Sequence, residues 1–383
     1  MRTHAPARAL ALALTAGAAA VAILAGCGGG GSVPASAPTQ TRTLHLSFPL
    51  GALSAEGMEL AATPGAHNPQ LGPQQPLHGV LWNASTGHPY ALQLPRICAD
   101  PWGTSLAGSR VATICDDSCC DGVDQRVVVL QPSKAPVTVM HVQSALGAAG
   151  GRIDGLAGGD DVLVFNRDSV DKRGGTKTDT LYRIDGVHAH AIATGRYAGR
   201  PWAVSHGRIL VAPAQSTLAV LRADGRRVAR FGTGFADVPV GVPDPSIVFD
   251  GRIAYGEDYL ETGSLTGVRQ DGSTVHPGAD CVLGPGATLG GVSGKYLTYI
   301  TADAVHVIRT SDCRDALIAV GGGFPVGAVL TPAGLFYAFN ARPGLGDDLP
   351  SLGRIHSTVT FMPMARVRHA VSRGLLARCC VEK

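Results

Sequence analysis

The sequence predicts an all-β fold made of seven similar units, each with four antiparallel strands. One observation is a short phrase that returns along the chain, beginning at Leu53, Leu106, Leu156, Val204, Val248, Val292 and Leu330. Another is a second phrase, containing a turn often written Asp-Gly, that follows in most repeats. Glycine and proline are also abundant, at 51 and 25 of 383 residues. That composition is typical of many short strands joined by tight turns.

Each returning phrase reads as a β-hairpin. VSHGRILV (204–211) and VFDGRIAY (248–255) both place a small turn between two apolar stretches. The second phrase, for example VLRADGRR (220–227), adds two more strands, and Asp-Gly favours the positive φ that a tight hairpin needs. Steps of 38 to 53 residues between copies match the blade of a β-propeller. We therefore predict a seven-bladed propeller, with an array of sandwiches as the alternative.

The two ends of the chain are expected to close the ring. Residues 42–48, RTLHLSF, alternate apolar and polar side chains and occupy the place of an outer strand before the first copy. We predict that this strand pairs with the last blade beside STVTFMPM (357–364). The tail RVRHAVSRGLLARCC (366–380) should either add a strand or cap the rim.

The N-terminal region indicates export. Residues 1–26 begin with basic residues and continue as an uncharged run, the pattern of a signal peptide. The alternative is an uncleaved membrane helix, which needs roughly 20 apolar residues. Leu24-Ala25-Gly26-Cys27 resembles the bacterial lipobox, and the resemblance implies that Cys27 is lipidated. Residues 27–41 then form a Gly/Ser/Pro-rich tether to a domain at 42–383. We expect a chain anchored by lipid to the extracytoplasmic side of the bacterial cell membrane.

The charge of the chain argues against nucleic-acid binding. The net charge is +3, and loss of Arg2 and Arg8 with the signal peptide leaves +1. A nucleic-acid-binding domain needs a basic field, which this balance does not supply.

The remaining cysteines are expected to form disulfides. Export places them in an oxidising compartment, and their number without Cys27 is even. We favour Cys98 with Cys115, which should lie on the same face of the second blade. Cys281 and Cys313 lie in neighbouring blades, but the predicted strands put them on opposite faces. The full set of candidates is Cys98, Cys115, Cys119, Cys120, Cys281, Cys313, Cys379 and Cys380.

No catalytic residue or metal site is predicted. The Gly-x-Ser-x-Gly motif is absent, and Ser205 and His206 are neighbours on a predicted strand, so their side chains should point to opposite faces. His188 and His190 would share one face, as half of a metal site or as an exposed strand. No cofactor is expected, the alternative being a Ca²⁺ ion held by Asp116, Asp117, Asp121 and Asp124.

Loop lengths indicate where a partner could dock. Loops between second and third strands project from one face, and four consecutive blades have long ones, at 340–354, 63–78, 115–125 and 166–179. We predict that this arc docks a partner, since long loops on a rigid scaffold tend to carry function. Neutral lengthening of surface loops is the alternative. The candidate docking residues are Arg342, Asp347, Asp348, Asp116, Asp117, Asp124, Arg167, Asp168 and Lys172.

From residue 42 to about 371, the repeat pattern resembles that of bacterial lipid-anchored seven-bladed propellers. The resemblance implies an extracytoplasmic scaffold that binds an envelope protein or a small ligand. The alternative is an enzyme of the lactonase, lyase or quinoprotein type that uses the central channel. An enzyme would need convergent His and carboxylate groups in that channel, and a scaffold would not.

Overall fold

The computed structural model describes the chain in segments, all within one compact unit, Ala37–Lys383. The described residues are 39–65, 78–96, 98, 101–117, 122–145, 150–170, 177–195, 198–214, 217–232, 247–258, 263–275, 277, 281–284, 286–341 and 356–376. The lipidation candidate Cys27, the predicted signal peptide and most of the predicted tether lie outside them.

The predicted propeller is confirmed: seven antiparallel sheets are arranged as blades. The innermost strands are β2 (Leu50–Glu56), β6 (Pro101–Ala107), β10 (Gly150–Gly159), β14 (Arg200–Ser205), β18 (Ile247–Phe249), β22 (Thr288–Ser293) and β26 (Gly323–Leu330). The second strands are β3 (Glu59–Pro64), β7 (Arg110–Asp116), β11 (Val162–Val170), β15 (Arg208–Ala214), β19 (Ile253–Asp258), β23 (Tyr296–Ile300) and β27 (Gly334–Ala341). Each innermost strand contacts the next, and β26 contacts β2, so the ring is closed.

The outer half of each blade is a second hairpin. The third strands are β4 (His78–Asn83), β8 (Gly122–Leu130), β12 (Lys177–Asp185), β16 (Thr217–Arg222), β20 (Ser264–Arg269), β24 (Ala304–Arg309) and β28 (Ser357–Pro363). The fourth strands are β5 (Pro89–Gln93), β9 (Val137–Ala145), β13 (His188–Thr194), β17 (Arg227–Gly232), β21 (Thr274–Val275) and β25 (Arg314–Val320), with β1 (Arg42–Leu46) completing the seventh blade.

The predicted closure by the N-terminal strand is confirmed. β1 pairs antiparallel with β28, with Arg42 opposite Phe361 and Leu46 opposite Ser357. The chain then enters the first blade, where the Leu50 backbone N–H donates to Asn340 Oδ1 at 2.9 Å. The N-terminal strand thus completes the last blade, and the chain that follows it connects that blade to the first.

The C-terminal tail adds a strand, as expected, but also forms a helix that the repeat pattern did not predict. α1 (Met364–Arg373) buries Met364, Val367 and Val371 against blades 6 and 7. β29 (Leu375–Leu376) then pairs with β25 as a fifth strand of blade 6. No helix among the described residues is long and apolar enough to span a membrane.

An apolar cluster fills each of the seven interfaces between blades. The buried side chains come from alternate positions of the inner strands and from the second hairpin. Each blade therefore covers one face of the next. Two interfaces also contain a disulfide. Cys98 and Cys115 are joined between blades 1 and 2, with Cα atoms 4.8 Å apart, which confirms the favoured pair.

Cys281 and Cys313 are also joined, with Cα atoms 5.3 Å apart, so the prediction of opposite faces is wrong. The reason is a pairing that the strand pattern did not reveal. The Leu265 backbone N–H donates to the Cys281 carbonyl, and Leu283 N–H donates to Gly263. The connection between blades 5 and 6 therefore runs along β20, which brings Cys281 into the interface with blade 6. The other four candidate cysteines lie outside the described residues.

The returning phrase contains contacts that join neighbouring blades. Its turn connects the first and second strands of each blade. Glu56 in the first turn accepts hydrogen bonds from the backbone N–H groups of Gly108 (2.6 Å) and Asp160 (2.7 Å). Asp160 in turn accepts from Gly207 N–H at 3.0 Å. Arg208, from the phrase in blade 4, donates to the Gly251 carbonyl of blade 5 at 3.1 Å. These contacts link the turns of blades 1 to 5 with one another.

Candidate functional site

The candidate site is a cavity of about 720 Å³ between blades 2, 3 and 4. It opens at the end of the propeller where the innermost strands begin and the second strands finish. We call it the three-blade cavity. Most of its lining residues are polar. The lining consists of Trp102, Asp116, Gln125, Arg152, Ile153, Asp154, Asn166, Asp168, Asp179, Arg200, Trp202, Ala212 and Pro213.

Two of these side chains enter the cavity from β-bulges in innermost strands. The pairing of β10 with β11 skips Asp154, and the pairing of β14 with β15 skips Trp202. Blades 1 and 6 have the same irregularity, but glycine occupies it, at Gly51 and Gly290. A Cβ on Gly290 would lie 1.9 Å from the Ala328 carbonyl oxygen, so that blade excludes a side chain there. A bulge re-aims a residue out of the strand pattern, and in blades 3 and 4 the re-aimed residues line the cavity.

Blade 2 contributes a satisfied polar pair. Asp116 ends β7 and lies opposite Gln125 of β8. The Gln125 amide donates to Asp116 Oδ2 at 2.8 Å, and its oxygen accepts the backbone N–H of Ile153 in blade 3 at 2.8 Å. Gln125 is only 4% exposed, and both of its polar ends are used. The pair therefore seals the interface between blades 2 and 3.

Blade 3 has a pair of aspartates at the matching position. Asp168 is the seventh residue of β11, as Asp116 is of β7, but its cross-strand partner is Asp179. Asn166 lies two residues before Asp168 and so shares its face. Asn166 and Asp168 are 1% and 2% exposed. Asn166 Oδ1 and Asp179 Oδ1 are buried, and neither has a hydrogen-bond partner among the described residues.

The cavity carries more negative than positive groups. Its carboxylates are Asp116, Asp154, Asp168 and Asp179, and its cations are Arg152 and Arg200. Burial raises the pKa of the Asp154 carboxyl, and a hydrogen bond and charge repulsion from Asp168 raise it further. The ion pair with Arg152 opposes this rise without cancelling it. The raised pKa of Asp154 therefore reflects burial first and the neighbouring Asp168 second.

Aromatic side chains form the flat parts of the wall. Trp102 is the second residue of β6, and Trp202 is the third residue of β14. The Arg200 guanidinium lies over the Trp202 ring, 4.5 Å from its centroid. Trp202 Nε1 is buried without a hydrogen-bond partner in the described part of the chain. The cavity thus combines hydrogen-bond acceptors, one free donor and apolar surface.

The other end of the central channel has a different character. There a cavity of about 710 Å³ is lined by the second halves of the innermost strands and the turns that follow them. Its acidic groups include Glu56 and Asp160, which accept the inter-blade hydrogen bonds described above. These carboxylates satisfy backbone N–H groups, so they already have a structural role.

Ser205 and His206 also line this end, and the prediction that they cannot meet is wrong. Ser205 Oγ lies 3.0 Å from His206 Nδ1. The strand ends at Ser205, and His206 has a φ of 54°, so the alternation of side chains no longer applies. The pair is exposed, and a hydroxyl beside an imidazole is the minimum arrangement for a nucleophile and its base.

Residues of the two alternative metal sites, for Ca²⁺ and at the histidines, make other contacts or are exposed. Asp117 and Asp124 both pair with Arg126, at 2.7 and 3.0 Å, and Asp124 also contacts His141 at 2.9 Å. Asp121 lies outside the described residues. His188 and His190 are exposed on the outer strand β13. Within the described segments, no group of three His, Cys, Asp or Glu side chains is arranged to hold a metal ion.

The predicted docking residues fall into two groups. Arg342, Asp347, Asp348 and Lys172 lie outside the described residues. The others lie in or next to strands rather than in loops, because β7, β8, β11 and β12 extend further than the sequence pattern suggested. Asp116 and Asp168 line the three-blade cavity, whereas Asp117, Asp124 and Arg167 are not part of its wall.

The sequence reasoning missed most of the cavity. Asp154, Asp179, Asn166 and the two arginines were not selected, because none belongs to a known motif. One signal was present: Pro101-Trp102 and Pro201-Trp202 repeat a dipeptide at the starts of two innermost strands. Aligning the repeats by strand position rather than by phrase would have drawn attention to that end of the ring.

Comparisons with known proteins show the architecture only. No protein-family model matches the chain, and no curated protein matches it. Among solved structures, BamB from Moraxella catarrhalis aligns over 82% of this chain and 85% of its own, at 13% identity and a TM-score of 0.41. The AfRom2 CNH domain aligns over 84% and 99%, at 8% identity and a TM-score of 0.43.

A third similar structure is the β-propeller domain of the Trilobed protease from Pyrococcus furiosus. It aligns over 76% of this chain and 90% of its own, at 11% identity and a TM-score of 0.40. At such low identities and scores, these alignments carry no argument about what this chain binds.

Proposed function

We propose that this protein is a lipid-anchored, extracytoplasmic scaffold that binds a ligand or partner through the three-blade cavity. The observation that carries the proposal is a pair of buried polar atoms, Asn166 Oδ1 and Asp179 Oδ1, that have no hydrogen-bond partner among the described residues. Buried polar groups in folded proteins are nearly always hydrogen-bonded, so their absence of partners favours a role in binding. A concave site with a few convergent polar groups is the usual form of a ligand site.

The anchor at Cys27 remains a prediction from the sequence, and it can be tested directly. Cells expressing the full chain are labelled with an alkyne fatty acid and then fractionated. We expect label on the wild-type protein and its recovery with membranes, whereas Cys27→Ser should lose the label. An unlabelled wild-type protein would rule out the lipid anchor and leave the cavity proposal untouched.

The binding face can be tested by photo-crosslinking in cells. Pro213 lines the cavity and carries no charge, so it is a suitable site for p-benzoylphenylalanine. Arg226 is the matched control, since it lies in an exposed outer turn of the same blade. We expect an adduct from position 213 that is absent from position 226. Equal adducts at the two positions, or none at 213, would contradict binding through this cavity.

An enzyme is the second candidate, favoured by the 3.0 Å contact between Ser205 and His206. Its test is labelling with a fluorophosphonate, which reacts with activated serine hydroxyls. The scaffold proposal predicts no label at Ser205, because the pair is exposed and the nearby acids Glu56 and Asp160 hold backbone N–H groups. Label that disappears in both Ser205→Ala and His206→Ala would favour the enzyme.

A further inference from the structure

We propose that the three-blade cavity binds an organic cation through an ammonium or guanidinium group. The inference rests on the proposed function, because it identifies the chemistry of the group that the same cavity would hold. Three features support it: acceptor atoms of blade 3 without partners among the described residues, the charges that line the cavity, and the volume of the cavity.

The unsatisfied atoms on blade 3 call for hydrogen-bond donors. Asn166 is 1% exposed, and its Oδ1 is without a partner among the described residues. Asp179 Oδ1, which lies on the neighbouring strand, is also buried and without a partner in the same segments. Both atoms can only accept. An ammonium supplies three N–H donors and a guanidinium supplies several, so one such group can serve both oxygens.

The charge of the wall selects a cation over a neutral donor. Four carboxylates face two guanidiniums in the lining. Asp168 lies opposite Asp179 on one side and opposite Arg152 on the other. Arg152 is ion-paired with Asp154. Like charges directly across two strands destabilise a sheet, and a bound cation would remove that cost.

The shape of the cavity favours an organic cation over a metal ion. The described residues contain no metal-binding group of three suitable side chains. A volume of about 720 Å³ exceeds what an ion needs and lies within the usual range for small organic ligands. Trp102 and Trp202 supply flat surface beside the carboxylates, on which the apolar part of such a ligand can pack.

The test is calorimetric titration of the full-length protein in detergent. The probes are methylguanidinium and methylammonium, with N-methylurea as the neutral analogue and Ca²⁺ as the metal. We expect at least one organic cation to bind and N-methylurea to produce no binding heat. Binding of Ca²⁺ alone, or of N-methylurea as strongly as of the cations, would overturn the proposal.

Variants then locate the site. Asp179→Asn keeps the shape and removes one charge, and we expect a loss of affinity of roughly tenfold or more, the scale of one paired charge. Asp185→Asn is the matched control: it is the same change at the far end of the same strand, outside the cavity. Asn166→Leu removes the amide acceptor. It is the second variant for the affinity measurement if Asp179→Asn does not fold. Affinity unchanged in a folded cavity variant would place the cation elsewhere and overturn the proposal.

Two sources of the cationic group can be separated. Agmatine represents a free small molecule, and a capped Gly-Arg-Gly peptide presents the same guanidinium as a protein side chain. Tighter binding of agmatine favours a small ligand, and tighter binding of the peptide favours a protein partner. If neither binds while position 213 still crosslinks, the cation proposal fails and the proposed scaffold stands. If position 213 also fails to crosslink, both fail.

Discussion

Blades 2 and 3 place an aspartate at the same point of the second strand and give it opposite surroundings. In blade 2, Asp116 faces Gln125, whose amide binds the carboxylate and the next blade together. In blade 3, Asp168 faces Asp179, and Asp179 Oδ1 has no hydrogen-bond partner in the described segments. Blade 2 thus shows a stable arrangement for this position. The pair of aspartates in blade 3 is therefore not a requirement of the propeller architecture.

This comparison separates polar groups that stabilise the ring from polar groups that are available to a ligand. Natural proteins commonly retain residues at binding sites that reduce stability. On that view, changes in blade 2 should cost stability, whereas changes in blade 3 should cost binding.

The largest expected effect comes from the disulfides. Cys98 pairs with Cys115, the neighbour of Asp116, across 17 residues of sequence. Replacing both with Ala should lower the free energy of unfolding by about 3 kcal/mol, the scale expected for a loop of this length. It should also weaken methylguanidinium binding, because blade 2 forms part of the cavity. Urea unfolding and calorimetry measure the two effects.

The matched control is the other disulfide. Replacing Cys281 and Cys313 should cost a similar ~3 kcal/mol, since the bridge spans 32 residues. It lies between blades 5 and 6, so cation affinity should not change. A change in affinity from this pair, with none from the first, would contradict the assignment of the site to blades 2 to 4.

The next effect is expected from the closed pair itself. Gln125→Ala leaves the buried Ile153 N–H without its acceptor and Asp116 without the amide donor, and should cost about 2 kcal/mol. Gln125→Glu keeps the acceptor but turns the pair into two carboxylates, as in blade 3. Gln125→Glu should also lower the free energy of unfolding at pH 7. Part of that loss should be recovered at acidic pH, where a carboxyl group of the pair is protonated. Full wild-type stability of Gln125→Ala by urea unfolding would show that the pair is not structural.

The smallest effect is a pH dependence from Asp154. Its folded pKa is raised above the ordinary 3.8, so the folded state holds a proton that the unfolded state releases. The associated stability is present below pH 3.8 and is lost as the pH rises through the folded pKa. Asp154→Asn lacks this titration. The stability of wild type relative to Asp154→Asn should therefore fall with rising pH, and a rise would contradict the stated environment.

Much of the architecture was predictable because it follows from local patterns. Turn residues and alternation repeat in every blade, so the returning phrase located each hairpin, and the alternating strand at 42–48 located the closure. Helix α1 was missed because its apolar positions, Met364, Val367 and Val371, are divided between the predicted strand at 357–364 and the tail, for which an added strand or a cap on the rim was predicted.

The candidate site was less predictable because it depends on register and on bulges. Asp168 was selected as a loop residue. In the structure it lies in β11 opposite Asp179 of β12, because both strands are longer than expected. Asp154 reaches the cavity only because the pairing skips it. The register of strand pairing fixes both the cross-strand neighbours and the bulges. That register cannot be derived from a single sequence.

The most direct test of the contrast is urea unfolding of Asp179→Gln, with and without methylguanidinium. The substitution gives blade 3 the Asp–Gln pair that blade 2 has. We predict that the variant is at least as stable as wild type in the absence of the cation, and that only wild type is stabilised by adding it. A variant that is less stable than wild type and is still stabilised by the cation would contradict the account.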